Sequence, residues 1–227
     1  MNYIFPPQPT VSLPIVGSQA RFPVHRVYCV SQNYADHVKE MGEDTRNPPC
    51  FFSKPADSLV SEGGTVSYPS MTQDFHHEVE LVVALGKSGK QLSKEQAMDC
   101  IFGYAVGFDL TRRDLQSEAK SKGYPWEMSK GFDEGAPISA IMPAERCGHL
   151  KSRIIWLKCN GALRQNGNIS QMIWDVGEII ANLSSFVSLK AGDLIFTGTP
   201  AGVPVAVRGD CIEGGIEGVG ELSVKVI

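Results

Sequence analysis

Apolar and polar positions alternate along "VHRVYCV" (24–30), which predicts a strand, and "TVSYP" (65–69), "VELVVAL" (79–85) and "YAVGFDL" (104–110) are predicted as strands too. Four other stretches carry a helical pattern with matching ends. "SQNYADHVKEMG" (31–42) predicts a short helix capped by Asn33 and stopped by Gly42. "LSKEQAMDCIFG" (92–103) has Ser93 as cap, Gln96 completing a capping box and Gly103 as stop. "TRRDLQSEAKSKG" (111–123) is expected to start at Thr111 and close at Gly123, and "DVGEIIANLSSFVSL" (175–189) to start at Asp175 with Glu178 three residues on. "RIIWLKCNG" and "ALRQNG" (153–167) predict a hairpin with Asn160-Gly161 as a type I′ turn. "KAGDLIFTGTP" (190–200) turns at Gly192-Asp193 into a strand, and short strands cut by glycines run to the end. No repeat occurs at a fixed period. Helices fall between antiparallel-looking strands without regular βαβ alternation, which predicts an α+β fold that is mostly β. Residues 1–20, with Pro6, Pro7, Pro9 and Pro14, are expected as a Pro-rich lead-in, and 21–227 as one catalytic domain.

The strand at 79–85 begins with an oddity. Glu78 and Glu80 are two apart, so a strand points both to the same face, where like charges repel and valines and leucines offer little water. Asp109 ends the apolar run "AVGFD". Three carboxylates on neighbouring strand ends would repel strongly unless a cation sat among them, and all-oxygen ligation suits Mg²⁺, Mn²⁺ or Ca²⁺. An E-x-E pair also fits a solvated sheet edge, and Asp109 also fits the start of the next helix. His76 and His77 could also bind metal; a core or hydrogen-bonding role is the usual one for a lone histidine, and beside an oxygen-rich site they would lie behind it, orienting a carboxylate.

On the first predicted helix His37 and Glu40 are three apart and share a face. A carboxylate beside an imidazole raises its basicity, as a general base acting on water requires; a surface pair has the same spacing. Arg113 and Gln116, also three apart, offer a guanidinium and an amide near the acids, suited to a carboxylate- and keto-bearing substrate, or else form part of a solvated helix face. Lys130 stands in the glycine-rich "WEMSKGFDEGAP", read either as solvent-exposed or as part of a mobile segment closing over a ligand.

Composition narrows the class. A net charge of −4 with no Lys/Arg run argues against nucleic acid as a partner. No stretch approaches the ~20 apolar residues of a membrane helix, and the prolines interrupt any signal-peptide pattern. The six cysteines are scattered without a C-x-x-C pair, so they are expected to be reduced thiols of a cytoplasmic protein, with no structural zinc.

Six blocks in register carry a resemblance: "NYADHVKEMG", "FFSKPADSL", "HHEVELVVALG", "GYAVGFDLTRRDLQ", "PWEMSKGFDEGAPIS" and "AGDLIFTGTPAGV". From about residue 24 to the C-terminus the chain resembles the fumarylacetoacetate hydrolase family. "FFSKPADSLV" and "DLTRRDLQSEAK" look most like the bacterial members that cleave fumarylpyruvate in gentisate breakdown. The chain is also similar to mitochondrial members that act on acylpyruvates and oxaloacetate. The resemblance implies a mostly β roll with peripheral helices, usually a homodimer. It implies one Mg²⁺ or Mn²⁺ held by Glu78, Glu80 and Asp109, and a water-activating pair, His37 and Glu40. Substrate contacts would come from Arg113, Gln116, Lys130 and Thr199. Family members commonly read G-R-N-Y where this chain has Ser31-Gln32-Asn33-Tyr34, so the arginine's charge is missing at Gln32.

The activity so implied is hydrolysis of a carbon–carbon bond in an acylpyruvate, a small keto acid. Lys130 and Gln116 would stabilise the oxyanion formed when water attacks the distal carbonyl. Oxaloacetate decarboxylation or tautomerisation on the same metal is the alternative. A binding module without catalysis is a third possibility, against which the intact set of acids, histidine and lysine argues.

Overall fold

A computed structural model describes residues 2–34 and 47–227. Two sheets dominate. The first takes its strands from β1 (Val27–Ser31), β2 (Cys50–Lys54), β3 (Leu59–Ser61), β5 (Val79–Leu85), β6 (Ile101–Phe108), β7 (Ala136–Ile138) and β10 (Leu194–Phe196). The second takes β4 (Gly64–Val66), β8 (Ile154–Cys159), β9 (Ala162–Asn168), β11 (Cys211–Ile216) and β12 (Gly220–Val226). In space the first sheet runs β2-β1-β10-β5-β6-β7-β3, with Met142–Pro143 also pairing with β6, and the second runs β9-β8-β11-β12-β4. Most pairs are antiparallel; β10 with β1, β7 with β3 and β12 with β4 are parallel. Among the described residues five α-helices border the sheets: α1 (Lys94–Met98), α2 (Arg113–Lys122), α3 (Glu127–Lys130), α4 (Ala144–Cys147) and α5 (Val176–Phe186). The mostly β, α+β architecture expected from the sequence is the one observed.

Every residue of β5 is buried, because that strand is covered on both faces. Leu81, Val83 and Leu85 face the main core with Tyr104, Val106, Ile155, Leu157, Ile212 and the apolar side of α5. Val82 and Ala84 face a second core with Phe196, Ile138, Leu13 and Phe22. Leu13 and Phe22 arrive there on a small hairpin in which Ser12–Pro14 pairs with Arg21–Pro23. A strand buried on both faces loses the polar side of its alternation, and only its first acids remain to mark the site. Among the described residues no helix is long and apolar enough to cross a membrane.

Several local expectations hold. Ser93 with Gln96, and Asp175 with Glu178, form complete capping boxes. Gly123 closes α2 in the left-handed conformation. Asn160 and Gly161 both take positive φ, 51° and 77°, as a type I′ hairpin requires. Others need correction. Helix α1 ends at Met98, because Ile101–Gly103 pair in β6 beside β5; sheet pairing overrides the helical pattern there. Thr111 does not cap α2; its hydroxyl donates to the Asp109 carbonyl, and Arg112 takes the N-cap position without a side-chain capping bond. The predicted helix at 31–42 falls largely outside the described residues. Asn33, its expected cap, donates its amide to the carbonyls of Trp174 and Thr197, and its side-chain oxygen accepts from the Trp174 N–H.

Candidate metal centre

β5 and β6 are antiparallel neighbours, so the start of one lies beside the end of the other, with Val79 opposite Phe108. Asp109 N–H donates to the Glu78 carbonyl at 2.9 Å, which locks the two acidic ends together. Glu78, Glu80 and Asp109 therefore converge, each buried, with ligand-capable oxygens all within 4.8 Å of one another. Burial, with Asp109 and Glu78 adding repulsion, pushes the Glu80 carboxyl well above the usual carboxylate range.

Cations ring the acids. Lys130 Nζ reaches Glu78 Oε2 at 2.8 Å, Asp109 Oδ2 at 2.7 Å and the Thr111 hydroxyl at 2.7 Å. Burial alone would lower the Lys130 pKa, but Asp109 and Glu78 outweigh it and the net shift is upward. Arg113, at the start of α2, pairs with Glu78 Oε1 and donates to Gln116 Oε1. Lys54, at the end of β2 and fully buried, donates to the carbonyls of Leu110, Lys130 and Gly135 while its ammonium lies 2.9 Å from Asp109 Oδ1. An ammonium has three protons. Those carbonyls use all three, so Asp109 Oδ1 sits beside a charge yet lacks a hydrogen bond.

The residues fit a hard divalent cation. Among the described residues, three carboxylates already face three cations, so bulk charge alone does not demand an ion. The fit rests on the oxygen donors: a buried Asp109 oxygen without a hydrogen bond, and Glu80, whose negative charge is disfavoured there, beside Glu78.

The turn after β10 completes the floor. Gly198 N–H donates to Glu80 Oε2 at 2.7 Å. Gly198 has φ 94°, and a Cβ there would lie 2.8 Å from Asn33 Cβ, so a side chain would be both strained and crowded. The Thr199 hydroxyl donates to the Val79 carbonyl at 2.7 Å. The cavity above the acids is walled by Phe52, Trp126, Gln116, Lys120, Thr199 and Gln32. Gln32 has φ 56°, and its amide nitrogen is buried without a partner.

All the described candidates meet in this cavity: Glu78, Glu80, Asp109, Arg113, Gln116, Lys130 and Thr199. His37 and Glu40 lie outside the described residues. Two expectations fail. Lys130 is neither solvent-exposed nor on an irregular loop; it is 2% exposed and ends the one-turn helix α3. His76 and His77 do not orient a carboxylate of the cluster. His76 bonds Asp74, and His77 is buried with neither ring nitrogen hydrogen-bonded, its pKa lowered by burial to about 4. Lys54, Lys130, Arg113 and the Gly198 N–H supply the contacts expected of them. Sequence reasoning missed Lys54, Phe52 and Trp126. A lysine between "FFS" and a proline was the available signal.

The profile of the fumarylacetoacetate (FAA) hydrolase C-terminal domain matches residues 26–227. The chain belongs to the fumarylacetoacetate hydrolase family. Three similar proteins carry two different activities in their names. It is 46% identical over 176 residues to a fumarylpyruvate hydrolase of a Ralstonia species, covering 78% of this chain and 91% of the relative. It is 44% identical over 200 residues to the mitochondrial oxaloacetate tautomerase FAHD1 of Mus musculus, covering 88% and 90%. It superposes on the crystal structure of fumarylpyruvate hydrolase from Pseudomonas aeruginosa, in complex with Mn²⁺ and pyruvate, with a TM-score of 0.97 at 49% identity, covering 100% and 99%.

Proposed function

We propose that this enzyme hydrolyses the carbon–carbon bond of an acylpyruvate, fumarylpyruvate foremost, releasing pyruvate and a carboxylic acid, as a step in aromatic-compound (gentisate) breakdown. The observation that carries this reading is the buried convergence of Glu78, Glu80 and Asp109, ringed by Lys130 and Arg113. These three acids would hold Mg²⁺ or Mn²⁺. The ion, when bound, supplies Lewis-acid stabilisation of negative charge on the oxygens of the α-keto acid. A divalent ion added to a cluster whose three carboxylates already face three cations leaves two positive charges, which suits a dianionic keto acid. Kinship with the Mn²⁺- and pyruvate-bound Pseudomonas enzyme supports the same ligand chemistry.

The chain's own groups divide the remaining work. Arg113 and Gln116 orient the substrate carboxylate from the first turns of α2. His37, braced by Glu40, takes a proton from water, and the resulting hydroxide adds to the distal carbonyl. Lys130, whose three protons are held by Glu78, Asp109 and Thr111, stabilises the oxyanion formed there through its charge. Phe52 and Trp126, 5.6 Å apart between ring centroids, wall the cavity with apolar surface and limit competing water. The unpartnered Gln32 amide offers one further donor to a substrate oxygen, where an arginine would have added charge.

An absorbance assay with fumarylpyruvate and acetylpyruvate, with and without EDTA, tests the reading. Loss of the diketone band is expected only without chelator, and turnover that survives metal stripping would overturn the assignment. Kinship with the mouse tautomerase supports a second reaction on the same cluster, oxaloacetate tautomerisation or decarboxylation, which needs no attack by water. His37→Ala separates the two. Acylpyruvate hydrolysis should drop by at least ~100-fold, within the usual range for removing a general base, while Mn²⁺ binding and any oxaloacetate reaction persist. Hydrolysis near the wild-type rate would remove His37 from the mechanism.

A further inference from the structure

The second sheet touches the acidic cluster's backbone through Gln165 on β9. Its side chain has no solvent exposure. The register of β8 against β9 shifts between Leu157 and Lys158, leaving Arg164 as an extra residue on β9. Such a bulge re-aims the neighbouring side chain, and Gln165 crosses to the first sheet. There Oε1 accepts the Val79 N–H at 3.1 Å, and Nε2 donates to the Thr199 hydroxyl and to the Pro200 carbonyl, both at 2.8 Å. Its main-chain partners dictate that orientation, since an N–H must meet the amide oxygen and a carbonyl must meet the amide nitrogen.

Val79 is the residue between Glu78 and Glu80. Gln165 holds its N–H and Thr199 holds its carbonyl, so the peptide units on either side of Val79 are pinned, and with them the angle at which the two carboxylates leave the strand. The same bonds set the polarity of Thr199. Its one hydroxyl proton goes to Val79, and one of its two lone pairs receives Gln165. What remains toward the cavity is a lone pair, so this hydroxyl faces a ligand as an acceptor.

We infer that Gln165 is a positioning residue of the centre: it fixes the spacing of the Glu78 and Glu80 carboxylates and holds the Thr199 hydroxyl as an acceptor. This rests on the divalent-ion reading of the cluster. Gln165→Met keeps the length and removes all three bonds. Calorimetry with Mn²⁺ on the substrate-free protein is expected to show binding at least about tenfold weaker with unchanged stoichiometry, as when an outer hydrogen-bond partner of a metal ligand is lost. A merely structural role gives the opposite result, a reduced fraction of competent chains that bind with unchanged Kd, and that overturns the inference. Thr199→Val removes the hydroxyl's two bonds, to Val79 and from Gln165, leaves Gln165 on the Val79 N–H, and guards against a Gln165→Met chain that does not fold. It is expected to weaken Mn²⁺ by a smaller factor, and to combine less than additively with Gln165→Met. An unchanged Kd in Thr199→Val, or full additivity, also overturns it. Because these measurements use no substrate, absence of acylpyruvate turnover in the wild type would sink the proposed reaction and leave the Kd comparison standing.

Discussion

Lys130→Met should lower kcat on the best acylpyruvate by roughly a hundredfold or more, the scale seen when an oxyanion donor is removed, and should also destabilise the metal-free protein. The second effect follows from where the ammonium sits. It bridges Glu78 Oε2 and Asp109 Oδ2 in a site closed to water, with its side chain 3% exposed. Removing one member of a buried ion pair leaves an uncompensated charge, at a cost of about 3–5 kcal/mol. For a chain of this size that is a fall in Tm of about 10 °C. A ligand that binds only the folded state stabilises it, so saturating Mn²⁺ should recover more Tm in the variant than in the wild type. Thermal scans with and without Mn²⁺, alongside steady-state kinetics, check both parts. A variant with wild-type Tm and kcat would make Lys130 a bystander. A rise in KM at constant kcat would make it a substrate anchor instead.

Glu80→Gln should do the reverse to stability while removing function. The amide keeps an oxygen for the Gly198 N–H and removes one of three crowded carboxylates. The metal-free variant is therefore expected to melt at or above the wild-type temperature. Two remaining carboxylates make a poor site for a hard cation, so Mn²⁺ affinity should fall by more than about 100-fold, beyond what losing an outer partner costs, and hydrolysis should vanish with it. Unchanged calorimetric affinity would take Glu80 out of the ligand set. Opposite shifts in Tm for Lys130→Met and Glu80→Gln would mark a cluster whose acids are kept together for chemistry at the expense of stability.

The acids were legible in the sequence because their placement contradicts their surroundings: a charged pair at the head of a strand otherwise all apolar. Arg113 and Gln116 followed from helical spacing beside Asp109. The capping boxes and the Asn160-Gly161 turn were equally legible, since each depends on residues a few positions apart. Lys130 was misread for the same reason that local signals succeed. Glycines and charges around it look like a surface loop, and its partners Glu78 and Asp109 are distant in the chain. Gln165 gave no signal, since an ordinary polar strand residue becomes buried only when the bulge turns it toward the other sheet. Ile101–Gly103 read as the end of a helix because their strand partner lies on the far side of α1 in the chain, and pairing with β5 decides the matter.

The place of β10 in the first sheet has a consequence for how the protein comes into being. Residues 194–196 insert between β1 at 27–31 and β5 at 79–85. During synthesis both neighbours must wait, each with an unpaired valine-rich edge, until more than four-fifths of the chain has left the ribosome. Edges of that kind pair with whatever they meet. The wedge that joins them also brings Gly198 and Thr199 to the acids, so the catalytic floor cannot be assembled piecemeal on a nascent chain. Closing the sheet and completing the centre are one late event, and the interval before it is when the polypeptide most needs shelter from its own kind.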